Sequence, residues 1–251
     1  MPLSIKERKQ KWLDFMDVSS ATRSIVLVTL SEEDTPARPW PYRENRKARL
    51  QWSYDLWQRQ NERLSWLDDD TVPALSIYTG TEIFAEALGC QVYCSGDNMP
   101  FALPLLHNGA EVARLRPPEL HASSLSELFE MGEQLRQRAG GDCVLTLPDI
   151  QSPVDIAALV WEKETFLMAM LDDPAAVQEL VAITEHLLTA FLDEWFRTFG
   201  TGYIAHYPDY YMAVSYTHLP CRFREWPHLL PQRPCSRLYR RRNPCCCAKC
   251  S

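Results

Sequence analysis

Between Asp142 and Tyr207 the chain runs strand, loop, helices, strand, and few folds accept that order. Cys143-Val144-Leu145-Thr146-Leu147 is a short apolar run of the buried-strand type. Pro148 to Pro153 is a polar turn, and helical segments follow with a break at Leu171-Asp172-Asp173-Pro174. Val177, Leu180, Val181, Thr184, Leu187, Leu188, Phe191, Trp195 and Phe196 then recur at three- and four-residue steps up to Gly200. That period gives one long helix with a core face, and it leaves His186 on the surface. Tyr203-Ile204-Ala205-His206-Tyr207 begins a new strand. Strands joined through helices belong to a parallel sheet, in which the loops after the strands carry the chemistry.

The same alternation extends upstream. Ser4 with Glu7 forms a capping box for a first helix, whose Trp12, Leu13, Phe15 and Met16 give it a buried side. Ser24 to Leu30 is β-branched and apolar, a strand pattern, and the prolines of Thr35 to Tyr42 make a loop. A second helix spans about Glu44 to Trp66, with Leu50, Tyr54, Trp57, Asn61 and Leu64 on one stripe. Asp68-Asp69-Asp70 reads as a solvated turn, since consecutive side chains do not converge on an ion. Val72 to Tyr78 is the next strand, Glu82 to Leu88 a short helix with Gly89 at its C-cap, and Cys90 to Cys94 a further strand. Ser95 to Pro104 reads as loop, and Ser124 or Ser126 as the cap of a helix ending at Gly140-Gly141. Trp40, Trp52, Trp57 and Trp66 are expected in the core.

Charge and cysteine divide the chain at its end. Of the net charge of −7, residues 213–251 carry eight Arg or Lys and one Glu, which leaves −14 on residues 1–212. An acidic body argues against nucleic acid as a partner. Cys90, Cys94 and Cys143 are scattered, as in a reducing compartment, whereas six cysteines crowd the final stretch. No run reaches the roughly 18 to 20 apolar residues of a membrane span, and the charged N-terminus is unlike a signal peptide, so the expectation is cytoplasmic. After Met212 the periodicity stops. Val214 to Leu219 resembles translated adapter sequence, and the Pro-, Arg- and Cys-rich remainder resembles out-of-frame read-through. Cys245-x-x-x-x-Cys250 is a poor tetrahedral zinc pattern. The expected organisation is a helical extension with a first strand over 1–71, a partial barrel over 72–212, and a non-native or disordered tail over 213–251.

Three stretches carry a family resemblance. Tyr78 to Gly89, with its Glu86-Ala87-Leu88-Gly89 ending, precedes the strand at Gln91-Val92. Val144 to Trp161 holds Ser152-Pro153-Val154-Asp155-Ile156 where the family has Gly-x-Pro-[Trp/Phe]-Thr-Leu. Leu171-Asp172-Asp173-Pro174 leads into the long helix. In this order and spacing the chain resembles the uroporphyrinogen decarboxylase superfamily, which includes corrinoid-dependent methyltransferases. The resemblance implies a (β/α)8 barrel of the TIM type, represented by about its first five strands. It implies a decarboxylase-like carbon–carbon lyase acting on a tetrapyrrole without a cofactor, or a methyltransferase using zinc and a corrinoid partner protein. A relative that binds a tetrapyrrole or a partner without catalysis is the third reading, and a homodimer is among the expectations. The family's aspartate falls on Gly80 and its tyrosine on Leu159. Its Arg-Gln-Ala-Gly-Arg motif has no counterpart, although Arg38 and Arg43 lie in a comparable region. Cys90, Cys94 and His107 are more readily core and turn residues than a zinc set.

The ends of the strands supply the candidate site. Asp149, after Leu147-Pro148, serves either as acid, base or ligand or as the cap of the next turn. His206 and Asp209 follow the last strand as further catalytic candidates, with a structural role the alternative for the histidine. Tyr78, Thr81, Gln151 and Tyr210 are expected to bind substrate, and no metal ligand is assigned.

Overall fold

A computed structural model describes residues 2–17, 19–22, 24–30, 37–140, 143–205 and 209–213. The expected tail therefore lies outside the described residues from position 214 onward, as do His206 and Tyr207. In chain order the elements are α1 (Ile5–Met16), α2 (Arg46–Arg63), β1 (Ala74–Leu75), α3 (Ile83–Ala87), β2 (Gln91–Tyr93) and β3 (Phe101–Leu103). They continue with α4 (Gly109–Val112), α5 (Ser126–Ala139), β4 (Val144–Thr146), α6 (Pro153–Val160), α7 (Lys163–Asp172), α8 (Pro174–Phe199), β5 (Gly202–Ile204) and β6 (Tyr211–Ala213).

The main sheet has the order β1-β4-β5-β6. Ala74 pairs with Val144 and Leu145 with Tyr203, both in parallel, so two helical crossovers join three parallel strands. This is the α/β architecture expected. The last strand departs from a barrel pattern, because β6 turns back antiparallel on β5, with Tyr203 opposite Met212. The expected strand at Cys90–Cys94 exists as β2, but it pairs with β3 in a separate two-stranded hairpin. The stretch expected to be loop thus contains a strand. Ser24–Leu30 is extended without becoming a strand, because aspartate side chains take its N–H groups: Val26 N–H donates to Asp70 Oδ2 at 2.8 Å and Val28 N–H to Asp69 Oδ2 at 3.1 Å.

Those aspartates are the clearest correction to the sequence reading. Asp68 is exposed, but Asp69 and Asp70 are buried. Arg8 Nη1 meets Asp69 Oδ1 at 2.9 Å, and Lys11 Nζ meets Asp70 Oδ1 at 2.7 Å. Trp12 Nε1 donates to the Asp70 carbonyl at 2.8 Å. Two carboxylates can leave water here because fixed cations and N–H donors converge on them. Helix α1 is thereby anchored under the sheet, where Trp12 packs with Val72, Ala74, Val144, Ile204 and Tyr211.

Helix starts follow the chemistry of their caps. The capping boxes Ser4/Glu7 and Ser152/Asp155 are both formed, and Asp173 caps α8 by accepting from Ala176 N–H. The start of α5 differs: neither Ser124 nor Ser126 caps it, and Leu125 stands at the N-cap position. Gly89, Gly140 and Gly200 end helices at positive φ. The buried residues of α8 are Ala176, Leu180, Thr184, Leu187, Leu188, Phe191, Leu192, Trp195 and Phe196, close to the stripe read from sequence. Phe84, Phe129, Phe191 and Trp195 interlock there at centroid distances of 5.2 to 5.5 Å. Length and composition would let α8 cross a bilayer, the one such helix among the described residues, yet this face is covered by protein.

Helix α2 departs from its apolar stripe. Its buried residues are Arg49 and Ser53, because the helix runs along the free edge of β1. Gln60 Oε1 accepts from Ala74 N–H at 3.0 Å, Ser53 Oγ from Ser76 N–H at 2.8 Å, and Arg49 Nη2 donates to the Tyr78 carbonyl at 2.5 Å. Trp66 lies beyond the end of this helix and is 61% exposed, and Trp40 is also exposed, so neither belongs to the core.

Candidate functional site

The period of two on β1 separates two environments. Leu75 and Ile77 are fully buried on the helical side, whereas Val72, Ala74, Ser76 and Tyr78 line a cavity of about 760 Å3. Thr146 and Asp149 reach the same space from the end of β4, and Ile204 and Asp209 from the end of β5. Leu27 to Leu30 and the α2 residues Trp52, Leu56 and Gln60 form the facing wall. The volume lies within the roughly 300 to 1,000 Å3 of small-molecule sites, and mostly apolar walls with a few convergent charges are their usual composition.

Hydrogen bonds tie the strand ends together. Asp149 N–H donates to Thr79 Oγ1 at 2.9 Å, and Ile77 N–H donates to Thr146 Oγ1 at 3.0 Å. Tyr78 is fixed at three points. Its carbonyl accepts from Arg49, its hydroxyl lies 2.9 Å from Met99 Sδ, and its ring carries the Arg38 guanidinium 4.2 Å from the centroid. Asp209 sits at φ +70, a left-handed conformation that aspartate tolerates better than most residues. The cavity is thus lined by Asp149, Asp209, Arg38 and Arg63 among apolar residues, whereas the Asp69 carboxylate is engaged by Arg8, Val28 N–H and Thr71.

Three of the seven residues selected from sequence, Tyr78, Asp149 and Asp209, line this cavity together. The other described candidates lie elsewhere. Thr81 is half-buried at the turn into α3 and outside the lining. Gln151 is half-buried after β4 and also outside it, with Oε1 lacking a hydrogen-bond partner. Tyr210 is exposed on its outer side and packs on Trp12 at 5.4 Å, a structural contact at the base of the sheet. His206 lies outside the described residues.

Sequence reading passed over Thr79, Arg49 and Glu82, which looked like ordinary loop and helix residues. Arg49 and Glu82 are both buried, at 6% exposure each. Burial pushes the Glu82 carboxyl up to about 7; Glu86 and Asp149 add to the rise, and Arg49 opposes it. A signal was present in the sequence, in that the position two residues before Glu82 is Gly80. Any side chain there would overlap the Glu82 carboxylate. Cys90 is buried and its thiol is pushed up to about 11 by burial, which makes it a core residue and not a nucleophile at neutral pH. Among the described residues no three His, Cys, Asp or Glu side chains converge as a metal site.

The sequence model of the uroporphyrinogen decarboxylase (URO-D) family matches residues 68–199. No curated protein matches the chain. Among solved structures a methyltransferase from Methanosarcina mazei is similar, with a TM-score of 0.57 and 13% sequence identity over 78% of this chain. The likeness is one of fold, and the chain spans 56% of that methyltransferase.

Proposed function

The chain belongs to the uroporphyrinogen decarboxylase family, and from that premise we propose that its strand-end cavity takes a carboxylated, tetrapyrrole-like substrate for cofactor-free decarboxylation. The observation that carries the reading is the meeting of Tyr78, Asp149 and Asp209 on one cavity, which Arg38 also lines, held over the Tyr78 ring. Each group has a part that its chemistry supports. Arg38 is a cation for a substrate carboxylate. Tyr78 and Trp52 offer aromatic walls to a flat ring system. Asp149 holds or hands over a proton at the reacting carbon, which must gain one when carbon dioxide departs. The proposal includes a (β/α)8-type framework, of which β1, β4 and β5 would be parallel members, and a cytoplasmic setting.

The test is formation of coproporphyrinogen from uroporphyrinogen by the purified chain. Asp149→Asn is expected to lower turnover by about a hundredfold or more, and Arg38→Ala to raise KM with less effect on kcat. Binding of the tetrapyrrole without turnover would favour a non-catalytic relative, and failure to bind would remove the substrate class.

One alternative is methyl transfer, the activity in the name of the similar structure, for which the family resemblance implies zinc and a corrinoid protein. The described residues do not fit a zinc site: Cys90 is buried, Cys94 is exposed, and no third ligand joins them. Methyl transfer from a methylated corrinoid protein, with one zinc bound per chain, would establish this alternative.

A further inference from the structure

A second, much smaller space lies across Thr79 from the strand-end cavity. It measures about 40 Å3 and is lined by Arg43, Arg49, Thr79, Glu82, Glu86 and Glu127 among others. Glu82 and Arg49 are both more than nine-tenths buried. Glu82 Oε2 and Arg49 Nε have no hydrogen-bond partner within the protein, a costly arrangement for buried charged groups. A water molecule needs roughly 30 Å3 and two to four polar partners, which this space and these atoms supply. Thr79 lines both spaces, and its Oγ1 already accepts from Asp149 N–H at 2.9 Å. A hydroxyl has a second lone pair and one hydrogen left, so Thr79 can accept from the small space and donate into the large one.

We propose that Glu82 is a proton-holding relay residue for the strand-end cavity, exchanging its proton through a water beside Arg49 and through the Thr79 hydroxyl. The Glu82 carboxyl gives a proton to the water, and the water protonates Thr79 Oγ1. The original Thr79 hydroxyl proton passes to a group in the cavity. Glu82 is left as a carboxylate facing the Arg49 guanidinium, and the same path run in reverse, from solvent in the large cavity through Thr79 and the water, restores its proton. The facing groups suit this cycle. Glu82's own backbone N–H and Arg49 from α2 stabilise the anion, whereas Glu86 on α3 and Asp149 after β4 favour the acid; Arg43 and Glu127, which also line the space, pair with each other, and Arg43 with Glu86. Burial brings the balance to about 7, where both forms are populated at neutral pH. The inference rests on the decarboxylation reading only for the use of the proton, since a carbon that loses carbon dioxide must take one up.

The experiment is infrared difference spectroscopy on the full chain. A protonated-carboxyl band is expected to titrate with a midpoint near neutrality and to vanish in Glu82→Gln. After rapid dilution into D2O, Thr79→Val is expected to slow deuteration of that band by about a hundredfold, the low end of what a positioned proton-transfer group supplies. Thr79→Ser should restore the rate, and Thr79→Ala carries the same test if valine disturbs the turn. A band that persists in Glu82→Gln, or deuteration as fast in Thr79→Val as in the parent, overturns the proposal. The exchange needs no ligand. Failure of coproporphyrin to bind in a parallel titration would therefore remove the substrate class alone, and the two failures are told apart.

Discussion

Arg8 reaches 61 residues along the chain to Asp69, and both side chains are withdrawn from water. Removing one member strands the other as a buried, uncompensated charge. Arg8→Ala is therefore expected to lower the unfolding free energy by about 3–5 kcal/mol, read from urea denaturation. Burial pushes the Asp69 carboxyl up, but Thr71, Val28 N–H and Arg8 outweigh it and hold it below its ordinary value. Its contribution is thus in place above the unfolded carboxylate pKa and is lost as pH falls through the lower folded one. Glu82 has the opposite sign. Its folded pKa is raised, so the native state binds more protons than the unfolded chain between the two values, and stability declines as pH rises through that window. Glu82→Gln removes this dependence. Relative to the parent it should gain on the order of 3 kcal/mol between pH 4 and pH 8.5, measured by thermal or urea melts at both ends. Neither pair was legible in the sequence. An Asp triplet is ordinarily solvated, and only the return of α1 and of residues 24–30 to the same point makes its burial possible. Asp149, Asp209 and Tyr78 could be placed on one cavity because a position after a strand is local information, whereas Thr81, Gln151 and Tyr210 have similar local settings and lie outside its lining.

Close approach between elements is set by small residues. Gly109 opens α4 against the start of α8, where an added methyl group would overlap the Asp173 carboxylate and come within 2.9 Å of Ala176 Cβ. Asp173 is the cap of α8, and Ala176 lies on its rigid first turn. Gly109→Ala should therefore cost about 1–3 kcal/mol by overpacking, checked by the shift in denaturation midpoint at unchanged slope. Element identity was readable wherever a period ran long enough. The stripe of α8 and the boxes at Ser4 and Ser152 are local patterns that the fold keeps. Helix α2 was readable as a helix but not in its orientation, because its inward face is chosen by the N–H groups of β1 and not by its own apolar residues. The strand pattern of Ser24–Leu30 failed for the related reason that side-chain acceptors replaced a neighbouring backbone.

For the molecule as a whole, the concern with an open parallel sheet is its edges, where unpaired N–H and C=O groups template association. On the β1 side α2 covers that edge, with Gln60 and Ser53 accepting from the Ala74 and Ser76 N–H groups. Ser53→Val together with Gln60→Leu should leave the Ala74 and Ser76 N–H groups without partners and open the edge to other chains. Sedimentation velocity is expected to show concentration-dependent self-association in the double variant beyond that of the parent. Fold class followed from the alternation of strands and helices up to Met212. The hairpin β2–β3 and the reversal of β6 did not, since strand direction depends on connections that the hydrophobic pattern leaves open. One further consequence attaches to Trp12. Its helix leaves the ribosome well before its seat, which is built from Val72, Val144, Ile204 and Tyr211, the last of them some 200 residues later. During synthesis the indole must wait for Ile204 and Tyr211, so a helix made long before its partners is among the last of the described elements to find its place, and a nascent chain stalled before β5 carries it undocked.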